Sequence, residues 1–282
     1  YSRLFACIFI GANSTERDFN SFLADIKHQL EHINHYLRVY YYSRFIDRGM
    51  QKLLKVPFLE SSSLILTDEL LSLFSLTCEH FQRADELSLL YSDTEYMGSF
   101  DDLVTALEGY EAPTLILVKH VQKESGVSKY PVHVFGGFAS IPWKNRAEYH
   151  GDCGSFVFSL IPKFRKYYPT LKGQNFQYLN GQNAHNKKFV KGLAFGGAND
   201  ESCRLWIGDS MSVGTSTSPE DQTYEKGPLI DPLIQTLNVN IFHSSGADLL
   251  MYLQIEEIEV WGLGGLAAKT KQEIYRALHK IM

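Results

Sequence analysis

The sequence predicts an α+β protein: an antiparallel two-sheet β-sandwich with flanking helices, a helical N-terminal region and a C-terminal helix. Three observations carry this. Short apolar runs separated by Gly, Asn and Ser turns recur between about Leu87 and Trp261, the pattern of antiparallel strands and not of a βαβ sheet. The stretch Val132 to Leu160 reads as two strands joined by a turn at Ile141-Pro142-Trp143, with Trp143 placed to cover the open end of a sheet core. Its second strand alternates Phe156, Phe158 and Leu160 with Ser155 and Ser159, the period of a half-buried strand.

Taken in order, residues 1–60 read as a helical N-terminal region. Ser14-Thr15 can cap a helix with Glu16 and Asp18 in its first turn and Phe19, Phe22, Leu23, Ile26, Leu30 and Ile33 at helical spacing. His28, His32 and His35 share that helix. Two of them could hold a metal ion, but no Cys or carboxylate cluster accompanies them, so a solvated or interface helix face is the plainer reading and no metal is expected. A second helical stretch, Tyr36 to Val56, ends at Pro57. Thr67 caps a helix expected over Asp68 to Phe81.

The main domain is expected over 61–265. Strands are predicted at Leu87–Ser92 and Pro113–Lys119, a Ser99-capped helix lies between them, and Lys123 to Tyr130 makes a hairpin loop. Gly136-Gly137 weaken strand propensity in mid-strand, which signals a bulge or a close neighbour. Pro162 to Pro169 is a basic, aromatic connection, and Gly208 to Gly227 reads as a polar loop. Phe176 and Tyr178 are expected on one face of a strand. In Leu253 to Val260 the apolar phase slips by one at Glu256-Glu257, so a β-bulge is expected there. Glu257 and Glu259 read as a solvated sheet face. Residues 266–282 form the C-terminal helix, with an apolar stripe of Ile274, Leu278 and Ile281 flanked by Lys269, Lys271, Arg276 and Lys280.

Composition narrows the function. The 282 residues allow one large or two modest domains. A net charge of −5 and a pI near 6.1 argue against nucleic-acid binding, which favours a basic face. No apolar run reaches the ~18 residues of a spanning helix. The apolar start, Tyr1 to Ile10, reads as a buried segment within a longer chain, since no convincing signal-peptide cleavage site follows. Cys7, Cys78, Cys153 and Cys203 lie far apart without a CxxC pair, as in a reduced intracellular set.

Candidate chemistry is thin. His150-Gly-Asp152-Cys153 gathers an imidazole, a carboxylate and a thiol within four residues, and supports the alternative of a redox or hydrolytic enzyme using Cys153 and His150. Catalytic Cys/His pairs are usually assembled from distant segments, so a loop coincidence is the plainer account. The glycine pairs lack a phosphate-cradling context, and Ser244-Ser245-Gly246 lacks the setting of a nucleophile elbow. No cofactor is expected.

In order along the chain, His133 to Ser140 with Gly136, Gly137 and Phe138; Trp143; Gly151-Asp152; Ser155 to Pro162 with Phe156 and Phe158; Gly192 to Gly197 ending in Gly196-Gly197; Arg204 to Trp206; Thr223 to Glu225; and Glu257 to Gly262 with Glu259 and Trp261 resemble the motifs of the TLDc domain. The ordered series is specific where any one glycine pair is weak. The resemblance implies the two-sheet sandwich, a link to oxidative-stress resistance, and binding to the cytosolic V1 sector of the vacuolar proton-pumping ATPase. The layout looks most like the lysosomal, mTOR-associated TLDc branch, which implies a place at the cytosolic face of a lysosome or vacuole. That branch has an EF-hand-like region; no DxDxDG run is present here. By the same resemblance the sandwich would grip stator subunits, and the terminal helix, Lys269 to Met282, would reach the rotor or central stalk as a brake. A scaffold in nutrient signalling is a second alternative.

Overall fold

The computed structural model describes residues 55–93, 98–121, 132–182, 190–197, 202–217, 221–230 and 250–279. The expected N-terminal helices, the three histidines on them, the Lys123–Tyr130 loop, Ser244 to Gly246 and Lys280 to Met282 lie outside these residues. The chain divides into two units, Tyr1–Lys55 and Val56–Met282. Every element below lies in the second.

In chain order they are β1 (Phe58–Leu59), α1 (Asp68–Thr77), α2 (Glu79–Arg83), β2 (Glu86–Ser92), α3 (Phe100–Leu107), β3 (Thr114–Val121), β4 (Val132–Ala139), β5 (Arg146–His150), β6 (Phe156–Ile161), β7 (Arg165–Tyr167), β8 (Gln177–Asn180), β9 (Gly192–Phe195), β10 (Leu205–Gly208), β11 (Val213–Thr217), β12 (Leu250–Gly262) and α4 (Gly265–His279). The strands hydrogen-bond in the order β5-β8-β9-β10-β11-β12-β3-β4-β6-β7, with β2 on β12 and β1 beside β2. Only β1–β2 is parallel among these pairs.

The hinge of this order is β12. Its first residues pair with β11, and from Ile255 onward it pairs with β3. The register shifts between Ile255 and Glu257, which is the bulge the slipped apolar phase predicts. Beside it, His120 Nδ1 lies 2.8 Å from the Gln254 carbonyl oxygen and 3.0 Å from its amide nitrogen, so a side chain fills a ladder position.

Both faces of the β3–β4–β6 region are covered. On one, Ile116, Val118, Phe135 and Val157 pack in a common cluster with Leu193, Phe195, Leu205 and Ile207 from β9 and β10. On the other, Leu115, Leu117, Phe138, Phe156 and Phe158 meet Leu71, Phe74 and Phe81 from α1 and α2. This corrects the half-buried reading of 155–160: Ser155, Val157 and Ser159 are as buried as Phe156 and Phe158. A strand between two packed layers loses the polar face that alternation presumes. Burial of both faces also explains the glycine pair. A Cβ on Gly136 would collide with the Ile116 carbonyl oxygen, and one on Gly137 would enter the Phe195 ring.

Other expectations are adjusted. Thr67 caps α1, its hydroxyl accepting the Leu70 N–H at 3.4 Å, but Cys78 adopts extended backbone and splits the helix expected to run to Phe81. Ser99 and Asp102 cap α3 reciprocally. The polar loop from Gly208 to Gly227 contains β11, whose small polar residues pair with β10 and β12. Phe176 and Tyr178 belong to different clusters: Phe176 is in the main core, whereas Tyr178 packs with Trp206 on the opposite side. Glu257 and Glu259 are buried, not solvated.

Lys166, read as part of a basic connection, is also buried on β7. Its Nζ donates to the Thr77 carbonyl at 2.8 Å and lies 3.7 Å from the centre of the Phe156 ring. Burial lowers its pKa to about 8. A depressed lysine contributes stability that is fully present above about 10.5 and is lost as pH falls through about 8. Lys166 by itself is therefore expected to add up to about 3 kcal/mol as pH rises across that window, opposed by Cys78 and the buried tyrosines, whose pKa values burial raises. Lys166→Met should raise the melting temperature at neutral pH and flatten the rise, as thermal melts across the window would record; an unchanged slope in the variant contradicts the assignment.

Candidate partner-binding surface

The residues that carry the sequence resemblance build the interior. Phe138 stacks on Phe156 with ring centres 4.8 Å apart, and Phe158 meets Phe74 edge-on at 5.0 Å. Trp143 Nε1 donates to Thr114 Oγ1 at 2.7 Å while its ring meets Phe195 edge-on at 5.5 Å. Gly151, Gly196 and Gly197 hold positive φ of 113°, 72° and 75°. Trp206 lies 5.9 Å from Tyr178, and Gly262 is crowded by the Tyr110 ring. Glu225 accepts the Tyr168 N–H at 3.1 Å. Glu259 accepts Ser63 Oγ at 2.5 Å, the Leu64 N–H at 2.7 Å and Trp261 Nε1 at 2.8 Å, tying the approach to α1 onto β12.

The three residues of the enzyme alternative have separate surroundings. His150 is buried and Cys153 is exposed in the following turn. His150 Nε2 accepts the Lys144 N–H and Gln177 Nε2–H, both at 3.1 Å, and burial lowers its pKa to about 4. That lone pair is committed to fixing the β5–β8 corner. Asp152 instead bonds Ser140 Oγ, which also lies 2.9 Å from Ser155 Oγ. Cys78 and Cys203, the other described cysteines, are buried, and Tyr149 Oη lies 3.2 Å from Cys203 Sγ. Among the described residues no group of three or more His, Cys, Asp or Glu side chains converges to hold a metal ion. No described helix is long and apolar enough to cross a membrane.

The C-terminal helix is different. α4 lies against α3 and the Glu108–Ala112 turn through a small and polar face. Ala268 packs with Tyr110 and Ala112. Gln272 Nε2 donates to the carbonyls of Ala106 at 2.8 Å and Glu108 at 2.9 Å, satisfying groups at the C-terminal end of α3. Arg276 donates to the Thr105 carbonyl at 2.7 Å, and Tyr275 lies over Gly109. Ala268, Gln272 and Arg276 stand four residues apart and so share a face.

The other side of α4 is open and carries three large apolar side chains among the exposed Thr270, Lys271 and Glu273. Leu266 is 72% exposed, Ile274 57% and Leu278 60%. At about 100° per residue Ile274 falls opposite the docked face, with Leu266 and Leu278 to either side of it. Sequence reasoning found Ile274 and Leu278 but missed Leu266, eight residues before Ile274 on the same stripe. It also assigned four cations to one role, and the structure separates three of them. Lys269 pairs with Glu60 and Arg276 holds Thr105, so both fasten the helix to its own domain. Lys271 is exposed, 3.9 Å from Glu111.

The β-rich body thus carries a helix folded back on it, with Leu266, Ile274 and Leu278 exposed. The TLDc domain matches residues 59–264, well over half of the 282 residues, and the chain belongs to the TLDc family. It is 30% identical over 193 residues to mouse (Mus musculus) "MTOR-associated protein MEAK7", covering 68% of this chain and 34% of that protein. The Danio rerio protein of the same name is 26% identical over 187 residues, covering 66% and 34%. Bos taurus "Oxidation resistance protein 1" is 28% identical over 131 residues, covering 46% and 13%. The matched stretch is thus about a third of the length of the MEAK7 relatives.

Proposed function

We propose that this chain is a non-enzymatic adaptor that binds the V1 sector of the vacuolar proton-pumping ATPase and regulates its activity or assembly at the cytosolic face of a lysosome or vacuole. The observation that carries the reading is the outward stripe of Leu266, Ile274 and Leu278 on a helix whose opposite face is already docked. An amphipathic helix offering aliphatic anchors at helical spacing suits a groove on a partner. The V1 partner is what the TLDc resemblance implies, and the relatives' names, one mTOR-associated and one concerned with oxidation resistance, are consistent with a regulatory role.

We read the two halves of the strand order as the two layers of a sandwich, supported by the common cluster that Phe135 and Val157 form with Phe195 and Ile207. In this reading the sandwich supplies the stationary grip on stator subunits, and α4 with the residues after it reaches the rotor or central stalk. Regulation then follows from preferring one rotary state, with no bond chemistry.

Purified V1 incubated with the full chain, or with a chain lacking Lys269 to Met282, tests the division of labour. The full chain is expected to be retained on V1 and to change its ATPase rate. The truncated chain should keep most of the binding and lose most of the rate effect. Equal loss of both, or of neither, contradicts it.

A further inference from the structure

The connection after β7 carries a feature that the adaptor reading does not use. Leu171 is 79% exposed and holds φ of 64°, the left-handed region that side chains other than Gly, Asn and Asp rarely occupy. The facing segment places Gln222 at φ 61°. Both turns are pinned to each other. The Thr170 N–H donates to the Thr223 carbonyl and the Glu225 N–H to the Tyr168 carbonyl, each at 2.8 Å. Thr170 Oγ1 donates to the Gln222 carbonyl, and the Lys172 N–H donates back to Thr170 Oγ1 at 3.3 Å. Pro169 and Tyr224 form an isolated antiparallel bridge between the segments. A large apolar side chain is therefore held out at a turn tip by a fixed backbone. Strain of this kind, fully supported by its surroundings, points to use.

Charge indicates the use. Residues 161–174 contain Lys163, Arg165, Lys166 and Lys172 and no acidic residue, in a protein whose net charge is −5. Lys166 is buried; Lys163 and Lys172 are exposed, and Arg165 is half-buried. Tyr168 is 39% exposed. Across the pinned turn Lys226 is exposed, Asp221 is buried, and Glu225 is half-buried, a single acidic group whose carboxylate accepts the Tyr168 N–H. A projecting leucine with an adjoining tyrosine and a basic flank combines the two weak signals that together hold a protein on an anionic bilayer.

We propose that the Tyr168–Lys172 tip binds anionic phospholipid membranes, with Leu171 entering the headgroup region and the basic flank facing the lipid charge. The contact is direct and does not depend on any protein partner.

Co-sedimentation of the full chain with phosphatidylcholine vesicles, with and without phosphatidylserine, tests this. Binding is expected only with phosphatidylserine and should weaken as salt rises. Leu171→Asn suits the left-handed backbone and should leave the melting temperature unchanged or higher, yet lower the apparent vesicle affinity about tenfold or more. Leu171→Gly accepts the same backbone and serves as the second variant. Reversal of Lys163, Arg165 and Lys172 to glutamate should abolish binding. Failure of the full chain to sediment with phosphatidylserine vesicles overturns the proposal, as does sedimentation of folded Leu171→Asn like the parent. Salt-sensitive binding to polyglutamate that Leu171→Asn leaves intact, without vesicle binding, assigns the cations to an acidic protein and also overturns it.

Discussion

Glu259→Ala is expected to destabilise the fold by about 2–4 kcal/mol, a large loss for a single substitution. The carboxylate is 2% exposed and accepts three donors: Ser63 Oγ, the Leu64 N–H and Trp261 Nε1. Alanine removes the acceptor but leaves the donors in place. Each one buried without a partner costs about 1–3 kcal/mol. The loss reaches beyond β12, because Ser63 also accepts the Ile65 and Leu66 N–H groups that lead into α1. Glu259→Gln keeps one carbonyl oxygen and should cost roughly half as much. Chemical denaturation of the two variants would measure this, and a Glu259→Ala midpoint within error of the parent would refute the buried-acceptor account.

Gly136→Ala should be as damaging by a different route. The new methyl group would strike the Ile116 carbonyl oxygen, which belongs to the neighbouring central strand, and would sit 3.0 Å from Phe158 Cζ. A flexible side chain can move aside; a backbone oxygen in the β3–β4 ladder cannot without breaking pairing on both sides. Overpacking of this kind costs about 1–3 kcal/mol where the surroundings relax and more where they do not. Insoluble protein or a sharply lowered midpoint is the expected result. Gly137→Ala meets the ring of Phe195 instead and should be milder, since a ring edge can shift.

These two residues show what the sequence could and could not disclose. Gly136-Gly137 in mid-strand announced a close neighbour, and a slipped apolar phase announced the bulge before Glu257, because both break a local rule whose only remedy is structural. Glu259 was misread for the opposite reason: alternating with Ile258 and Val260, it obeys the local rule for a solvated face. What buries it is the segment around Ser63, almost two hundred residues earlier, and no periodicity encodes that. β11 was missed because Gly214, Thr215, Ser216 and Thr217 carry no apolar signal and owe their strand to neighbours on both sides. Phe176 and Tyr178 were placed on one face because a two-residue spacing presumes a continuous strand, whereas β8 begins only at Gln177.

The candidate surface was half legible. Ile274 and Leu278 stood out as a stripe, but helical spacing alone cannot say which side of a helix its own domain covers. Docking through Ala268, Gln272 and Arg276 reverses the usual arrangement, in which the apolar side faces inward. The roles of Lys269 and Arg276 depended on Glu60 and on the Thr105 carbonyl, partners far off in sequence. Leu171 gave no sequence signal, since a single leucine in a polar turn is unremarkable until its backbone conformation is seen.

The central claim is that the outward face of the C-terminal helix transmits the effect on the ATPase. The most direct measurement is the ATP hydrolysis rate of purified V1 saturated with the parent chain or with the Ile274→Asp, Leu278→Asp double variant. Both side chains are more than half exposed, and the docked face stays intact, so the melting temperature of the variant should match the parent. The parent should shift the rate, whereas the variant, bound to V1 at the same occupancy, should leave it at the value of V1 alone. A variant that shifts the rate as fully as the parent would contradict the account.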